Sequence, residues 1–188
     1  MDGRNDRVLA NRIADGIIGA TRIRFGAVEV AELVETDGLL VAISNLPAPE
    51  LNSAYVIREP THPASALEAA EAELSVRGMS FGIDLEAGRH RPVEVAVRAA
   101  GLDMIVVRPA MAAVVRELEP AQLPEGVTIR PIETREDASA LARVDAEAFE
   151  GDLDISQRFY AAGVIGVEGA RGFVAWDGDV PVGTGVAY

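Results

Sequence analysis

The sequence contains no cysteine and no lysine. Without cysteine the chain forms no disulfides, has no thiolate nucleophile, and holds neither a zinc–thiolate site nor an iron–sulfur cluster. Without lysine it lacks the phosphate-binding lysine of a P-loop and the amine that Schiff-base and pyridoxal phosphate chemistry require. All 17 basic residues are therefore arginine. Several large enzyme classes are excluded before any motif is considered.

Long apolar runs are also missing. The segment from Met1 to Arg7 has no apolar stretch of the kind found in a signal peptide. No run approaches the roughly 20 apolar residues that span a membrane. The sequence therefore predicts a cytoplasmic location and no membrane partner.

Basic residues are outnumbered by acidic ones, 17 against 30, which gives a formal net charge of −13. Such a surface repels nucleic acid phosphates, so we expect no nucleic acid partner. It favours cationic ligands through long-range attraction, or it serves only solubility. The hydrophobic share of 49% is typical of a soluble globular protein.

Two sections are predicted, joined by a linker. The segment Arg116–Gly126 carries two prolines and three glutamates and shows no clear period, as an interdomain connection does. The predicted boundaries are 1–118 for the first domain, 119–126 for the linker and 127–188 for the second domain.

The first section has the pattern of an α/β (α+β) domain with a mixed sheet. Its first three strands are joined by short turns and should be antiparallel, whereas the later strands alternate with helices and should be parallel. The predicted elements are a helix at Asp6–Ala20, strands at Ala27–Leu33, Leu39–Ser44 and Ser53–Arg58, a helix at Ala64–Arg77, a strand at Ser80–Leu85, a helix at Pro92–Ala100, and a strand at Met104–Arg108 running on toward Val115.

The second section begins with a strand and two helices and continues with a hairpin. Thr134 is a predicted N-cap, with Asp137 three residues later as the second member of a capping box. The predicted elements are a strand at Val127–Ile132, a helix to about Phe149, a short helix from Asp154 or Ser156 through Ala162, a strand at Gly172–Trp176, a turn at Asp177–Gly178, and a strand at Val182–Tyr188.

This second section resembles the start of a GNAT acetyltransferase, through its element order and the hairpin Gly172–Tyr188 with its Asp-Gly and Val-Gly pairs. The first section resembles the degenerate GNAT-like half that often precedes such a domain in bacterial proteins. The resemblance of the first section is carried by Asp37–Leu40, Asn52, Ala54–Glu59, Arg77–Gly78 and Arg108–Met111.

The resemblance implies transfer of an acetyl group from acetyl-coenzyme A to a primary amine on a small molecule or peptide. In that family the pyrophosphate of the cofactor lies on backbone N–H groups of an Arg/Gln-x-x-Gly-x-Gly/Ala loop that opens a helix. The equivalent segment of the first section, Arg58–Pro63, has no glycine, two prolines without N–H groups, and a carboxylate. In the second section the equivalent loop is expected after Tyr188.

The resemblance therefore predicts a chain that is truncated before its coenzyme A loop. Acetyl-coenzyme A would be a co-substrate of the parent protein, and none should be bound by this fragment, which we expect to be inactive alone. Cofactor-binding and catalytic residues are not assigned. The alternative is a non-catalytic GNAT-like module for binding or assembly.

Candidate substrate-side residues follow the first helix of the second section. They are Phe149, Asp152, Phe159 and Tyr160. Glu147, Glu150, Asp152 and Asp154 form an acidic cluster that is either a solvated face or an attraction site for an amine. The aromatic side chains fit a hydrophobic core as well as a substrate contact. His62 and His90 have no metal-ligand partner at helical spacing, so both are predicted to be surface residues and no metal is expected.

The strand predicted at Val182–Tyr188 is apolar and has no following strand in the sequence. An unpaired strand edge invites pairing with another chain. The sequence therefore predicts self-association through residues 182–188, or local fraying there.

Overall fold

The structure, a computed structural model, describes residues 3–161 and 164–188. The chain divides into two compact units. The first comprises the chain up to Phe25 together with Val30–Met111, and the second comprises Gly26–Glu29 and Ala112–Tyr188.

The first unit contains a four-stranded sheet in the order β1-β2-β3-β4. The first three strands pair antiparallel, and β4 runs parallel to β3. This mixed sheet with its helices confirms the predicted α/β (α+β) class. The elements are α1 (Gly3–Gly26), β1 (Glu32–Glu35), β2 (Leu39–Ile43), β3 (Asn52–Val56), α2 (Pro63–Ser75), β4 (Gly82–Asp84) and α3 (Arg91–Ala99).

The start of the sheet differs from the prediction. Helix α1 continues to Gly26, so the strand predicted at Ala27–Leu33 begins only at Glu32. Thr21, whose β-branched side chain disfavours helix, donates its hydroxyl hydrogen bond to the carbonyl of Ile17 at 2.9 Å within the helix. That bond satisfies the hydroxyl of Thr21 inside the helix, which continues past the predicted end at Ala20.

The strand predicted at Met104–Arg108 is wrong. The backbone there is in no helix or strand, and Met104 and Ile105 are 82% and 88% exposed. Side chains of this type favour a strand because they pack against neighbours, and here no ladder forms beyond β4. The segment is tied to β4 only through side chains, with the Arg108 guanidinium 3.3 Å from the Asp84 carboxylate.

The core of the first unit lies between the sheet and α2. Strand β2 is buried along its whole length, as a central strand covered on both faces should be. Helix α2 presents an apolar stripe to it at helical spacing. The stripe consists of Ala66, Leu67, Ala70 and Leu74.

The second unit contains a three-stranded antiparallel sheet in the order β5-β6-β7. Its elements are β5 (Val127–Pro131), α4 (Arg135–Ala148), α5 (Leu153–Ser156), a π-helical turn (Gln157–Ala161), β6 (Arg171–Asp177) and β7 (Val180–Ala187). The order matches the prediction. The predicted end of the second helix, at Ala162, lies outside the described residues.

The predicted capping box at the start of α4 is confirmed. The Thr134 hydroxyl accepts from the backbone N–H of Asp137 at 3.1 Å, and the Asp137 carboxylate accepts from the N–H of Thr134 at 3.0 Å. Two N–H groups that the helix leaves unpaired are thereby satisfied. The hairpin turn falls one residue later than predicted, because Asp177 still pairs with Val180.

Helix α4 packs its inner face on this sheet. Leu141 and Ala138 join Val174 and Trp176 in one buried cluster. On the same sheet the Arg130 guanidinium lies 4.4 Å from the centre of the Trp176 ring, a cation–π contact between neighbouring strands. In the part of the chain that the structure describes, no helix combines the length and the apolar character needed to cross a membrane.

Candidate functional site

The junction between α4 and α5 is held in a strained conformation. Helix α4 ends in a Schellman motif, in which the N–H of Gly151 donates to the carbonyl of Ala146 at 2.8 Å and that of Glu150 to Glu147 at 3.4 Å. Glu150 takes the left-handed position, with φ at 51°, where glycine is usual. The left-handed conformation costs a residue with a side chain roughly 1–2 kcal/mol. Strain of this kind is concentrated at functional sites.

An exposed aromatic side chain lies at this junction among carboxylates. Phe149, directly before Glu150, is 80% exposed. The four predicted members of the acidic cluster, Glu147, Glu150, Asp152 and Asp154, are all exposed as well. A ring face and several carboxylates together suit an organic ammonium group, which both attract. We name this junction, Glu147–Asp154, the acidic junction.

Asp152 has a structural task within the acidic junction. Its carboxylate caps α5 by accepting from the backbone N–H groups of Asp154 at 2.7 Å and Ile155 at 3.4 Å. The Arg158 guanidinium lies 3.5 Å from the Asp154 carboxylate. The remaining negative charge of the acidic junction faces solvent.

The two other candidate residues lie on the π-helical turn. Phe159 is fully buried, and Tyr160 is half-buried with its ring edge-on to Phe159 at 5.3 Å between centroids. Phe159 is therefore part of the core and is not accessible to a substrate, whereas Phe149 and Asp152 share the exposed junction. Isolated π-helical turns occur often at functional sites, because they displace side chains from the regular helical register.

An open cleft of about 590 Å³ separates the first half of α4 from the π-helical turn. Its polar lining comes from Glu133, Arg135, Ser139 and Gln157. The cleft offers both signs of charge and an amide, at the opposite end of the helix pair from the acidic junction.

Asp145 links α4 to α5 through a side-chain hydrogen bond that no sequence pattern predicts. The hydroxyl of Ser156, a residue only 4% exposed, donates to the Asp145 carboxylate at 3.0 Å. Partial burial raises the pKa of Asp145 above its usual value of 3.8, and the bond from Ser156 offsets part of that effect. The partners are 11 residues apart, so no helical spacing links them.

Replacement of Asp145 by asparagine should leave the second unit folded and slightly more stable at neutral pH. A raised carboxyl pKa means that ionisation costs stability, and this cost appears as the pH rises from 3.8 through the raised pKa. Asparagine keeps the acceptor for Ser156 without the charge. The gain should stay below about 1 kcal/mol, because Asp145 is partly solvent-screened. Urea denaturation against pH measures it, and a clear loss of stability at neutral pH would contradict this account.

In the first unit, the backbone N–H groups of the loop that precedes α2 bind a carboxylate of the chain itself. The Asp37 carboxylate accepts from the backbone N–H groups of Thr61 at 2.7 Å and His62 at 3.3 Å, and from the Arg58 guanidinium at 3.1 Å. Desolvation raises the pKa of Asp37, but the donors from His62, Thr61 and Arg58 outweigh it and hold that pKa below its usual value.

His90 is not a surface residue, which corrects the prediction. It is only 9% exposed, and its Nδ1 atom lies 3.0 Å from a carboxylate oxygen of Glu59. His90 is the residue that precedes α3, and its contact with Glu59 brings the loop after β3 against the start of that helix, a tertiary contact that helical spacing does not reveal. His62 is exposed, as predicted. Among residues 3–161 and 164–188, no three or more histidine, aspartate or glutamate side chains are grouped to hold a metal ion.

The fold matches that of a GCN5-related N-acetyltransferase from Kribbella flavida with a TM-score of 0.65, over 94% of this chain and 66% of that chain. The fold is GNAT-like. Sequence identity to that protein is 17%, so the likeness concerns the fold, and the chain spans just under two thirds of that protein's length. No family model and no curated protein matches the sequence.

Proposed function

We propose that this chain is part of an N-acetyltransferase that moves an acetyl group from acetyl-coenzyme A to a primary amine. The observation that supports this is the GNAT-like fold, shared over 94% of the chain with an N-acetyltransferase. The acetyl-coenzyme A is a co-substrate of the parent protein, and the acceptor is an amine on a small molecule or peptide.

The acidic junction is the proposed acceptor side. Its carboxylates raise the local concentration of a cationic amine, and the exposed ring of Phe149 offers a face for an ammonium group. Once it has lost a proton, the amine attacks the thioester carbonyl. The C–N bond forms and the C–S bond breaks, and the proton that the nitrogen then releases converts the leaving thiolate to the thiol of coenzyme A, without a covalent enzyme intermediate. Asp152 is part of this surface, and Tyr160 lies apart from it on the π-helical turn.

An acetyl-transfer assay on the natural gene product tests the proposal. Release of free coenzyme A thiol is followed with a polyamine, an amino sugar and a peptide with a free N terminus. We expect saturable turnover with one of these amine classes. The charge-neutral variants Glu147→Gln and Glu150→Gln should raise KM for a cationic acceptor more than they change kcat, with Glu119→Gln in the linker region as the control. Absence of turnover with every amine would refute the proposal.

A non-catalytic role is the second candidate, and one observation favours it for the first unit. In the loop that would face a cofactor pyrophosphate there, the N–H groups of Thr61 and His62 already donate to Asp37. A binding or assembly module needs no cofactor. If the gene product bound a protein or peptide partner while failing to bind acetyl-coenzyme A, this role would replace acetyl transfer.

Self-association through residues 182–188 is a further part of the proposal. Strand β7 lies at the edge of its sheet. Val182 on this strand is 52% exposed, and Tyr188, directly after its end, is 43% exposed. We expect the 188-residue chain to dimerise with rising concentration in analytical ultracentrifugation. A charged substitution, Val182→Arg, should shift the equilibrium to monomer, whereas Val76→Arg, at a valine of the first unit that is 85% exposed, should not. A monomer at every concentration, with a protected edge in hydrogen exchange, would contradict this expectation.

A further inference from the structure

The loop before α2 has the donors of an anion site. Thr61 and His62 direct their backbone N–H groups at one carboxylate oxygen of Asp37, and Arg58 reaches the other. A 13-residue helix begins directly after them at Pro63. Backbone N–H groups at a helix start together with an arginine are the donors that a phosphate group would use. Here the anion is an aspartate of the neighbouring hairpin turn.

The backbone of that turn closes the remaining space. The carbonyl of Gly38 accepts from the N–H groups of Ile57 at 3.0 Å and Arg58 at 3.3 Å. A Cβ atom on Gly38 would lie 2.6 Å from the carbonyl oxygen of Arg58 and 2.9 Å from the nitrogen of Pro60. Glycine with φ at +74° is thus required for the turn to lie so close. A phosphate group has no room between the turn and the loop.

A second contact bridges the same edge of the sheet. Strands β3 and β4 are the parallel pair of this unit, and open α/β sheets bind ligands outside the carboxyl ends of parallel strands. The loops that follow these two strands are joined by the contact between Glu59 and His90 at 3.0 Å. The place where a ligand would enter is therefore spanned by the protein's own side chains.

We propose that Asp37 is a built-in anion that takes the place of a phosphate ligand and keeps the first unit closed to phosphorylated cofactors. The β1–β2 turn then blocks the anion-binding N–H groups of the loop before α2, and the first unit has a structural role and binds no cofactor. This inference concerns the first unit alone and does not depend on whether the gene product transfers acetyl groups.

Chemical rescue tests the proposal on the 188-residue chain. The Asp37→Ala variant loses the carboxylate, and Asp103→Ala removes the same charge from an exposed position of the same unit. Thermal unfolding is recorded at neutral pH in formate and in chloride of equal ionic strength. We expect Asp37→Ala to melt several degrees below both Asp103→Ala and the unmodified chain in chloride. Formate should recover part of that loss in Asp37→Ala only.

Two results would overturn the proposal. If formate and chloride act alike on a destabilised Asp37→Ala variant, the loop holds no anion and Asp37 serves only the turn. If inorganic pyrophosphate binds the unmodified chain saturably in calorimetry and Arg58→Ala abolishes that binding, the unit is open to phosphates. No pyrophosphate binding to the unmodified chain, together with rescue of Asp37→Ala by formate, supports the closed state.

Discussion

Acetyl-coenzyme A is expected to give no saturable heat of binding when it is titrated into the 188-residue chain. The first-unit loop presents Pro60 and Pro63 without N–H donors, and its Thr61 and His62 donors are engaged by Asp37. The printed sequence contains no Arg/Gln-x-x-Gly-x-Gly/Ala motif in either unit. Each lost charge-assisted hydrogen bond to the pyrophosphate is worth about 1.5–3 kcal/mol. Two such losses weaken binding about a hundredfold or more.

The comparison for this titration is a version of the chain that carries any natural sequence following Tyr188. If that sequence supplies a pyrophosphate loop, binding should appear in the longer version alone. Micromolar binding to the 188-residue chain would show a working cofactor site in one of the units described here and would refute the expectation. If the longer version also fails to bind acetyl-coenzyme A, the non-catalytic role is favoured.

Asn52→Leu is expected to unfold the first unit or to lower its free energy of unfolding by about 3–6 kcal/mol. The Asn52 side chain has no exposed surface and makes four hydrogen bonds. Its carbonyl oxygen accepts from the N–H and hydroxyl of Ser44 at 2.9 and 3.1 Å. Its amide donates to the carbonyls of Leu46 and Ala48 at 3.0 and 2.8 Å.

Leucine is larger than asparagine and cannot accept a hydrogen bond, so the buried N–H and hydroxyl of Ser44 lose their acceptor. The carbonyls of Leu46 and Ala48 each lose one of two donors, because the backbone N–H groups of Ala48 and Leu51 still pair with them. Each donor left unpaired costs about 1–3 kcal/mol and each further lost hydrogen bond about 0.5–1.5 kcal/mol, against a typical total stability of about 5–15 kcal/mol. Denaturation monitored by circular dichroism measures the loss. Asn11→Leu, at an exposed position of α1, makes the same chemical change and should stay within about 0.5 kcal/mol of the unmodified chain. Equal stability of the two variants would mean that the buried bonds contribute nothing.

The sequence predicted those helices and strands that are marked by a pattern within a few neighbouring residues. The capping box of Thr134 and Asp137 was found because its two partners are three residues apart. The helix predicted at Ala64–Arg77 is found as α2, Pro63–Ser75. Short connections between β1, β2 and β3 predicted antiparallel pairing, and the helical crossover to β4 predicted a parallel one.

The same local signals misplaced two strands. Met104–Arg108 has the composition of a strand, but strand propensity is realised only where a neighbouring strand supplies hydrogen bonds and packing. Whether a partner exists is decided by the assembled sheet, which ends at β4. The strand predicted at Ala27–Leu33 lacks its first part, Ala27–Ala31, because α1 continues to Gly26 and the chain turns before β1 begins at Glu32.

By itself, the sequence determined the mixed α/β class and the order of the elements apart from the strand at Met104–Arg108, and its missing cysteine and lysine exclude thiolate and lysine Schiff-base chemistry in this chain. These follow from composition and from patterns within one or two turns of backbone. Only the tertiary structure decided which candidate side chains are exposed and which groups they contact. It buried Phe159 and exposed Phe149, and it set Asp37 against Thr61, 24 residues away along the chain. Contacts across that separation leave no local pattern, because packing brings the partners together only when the whole unit folds.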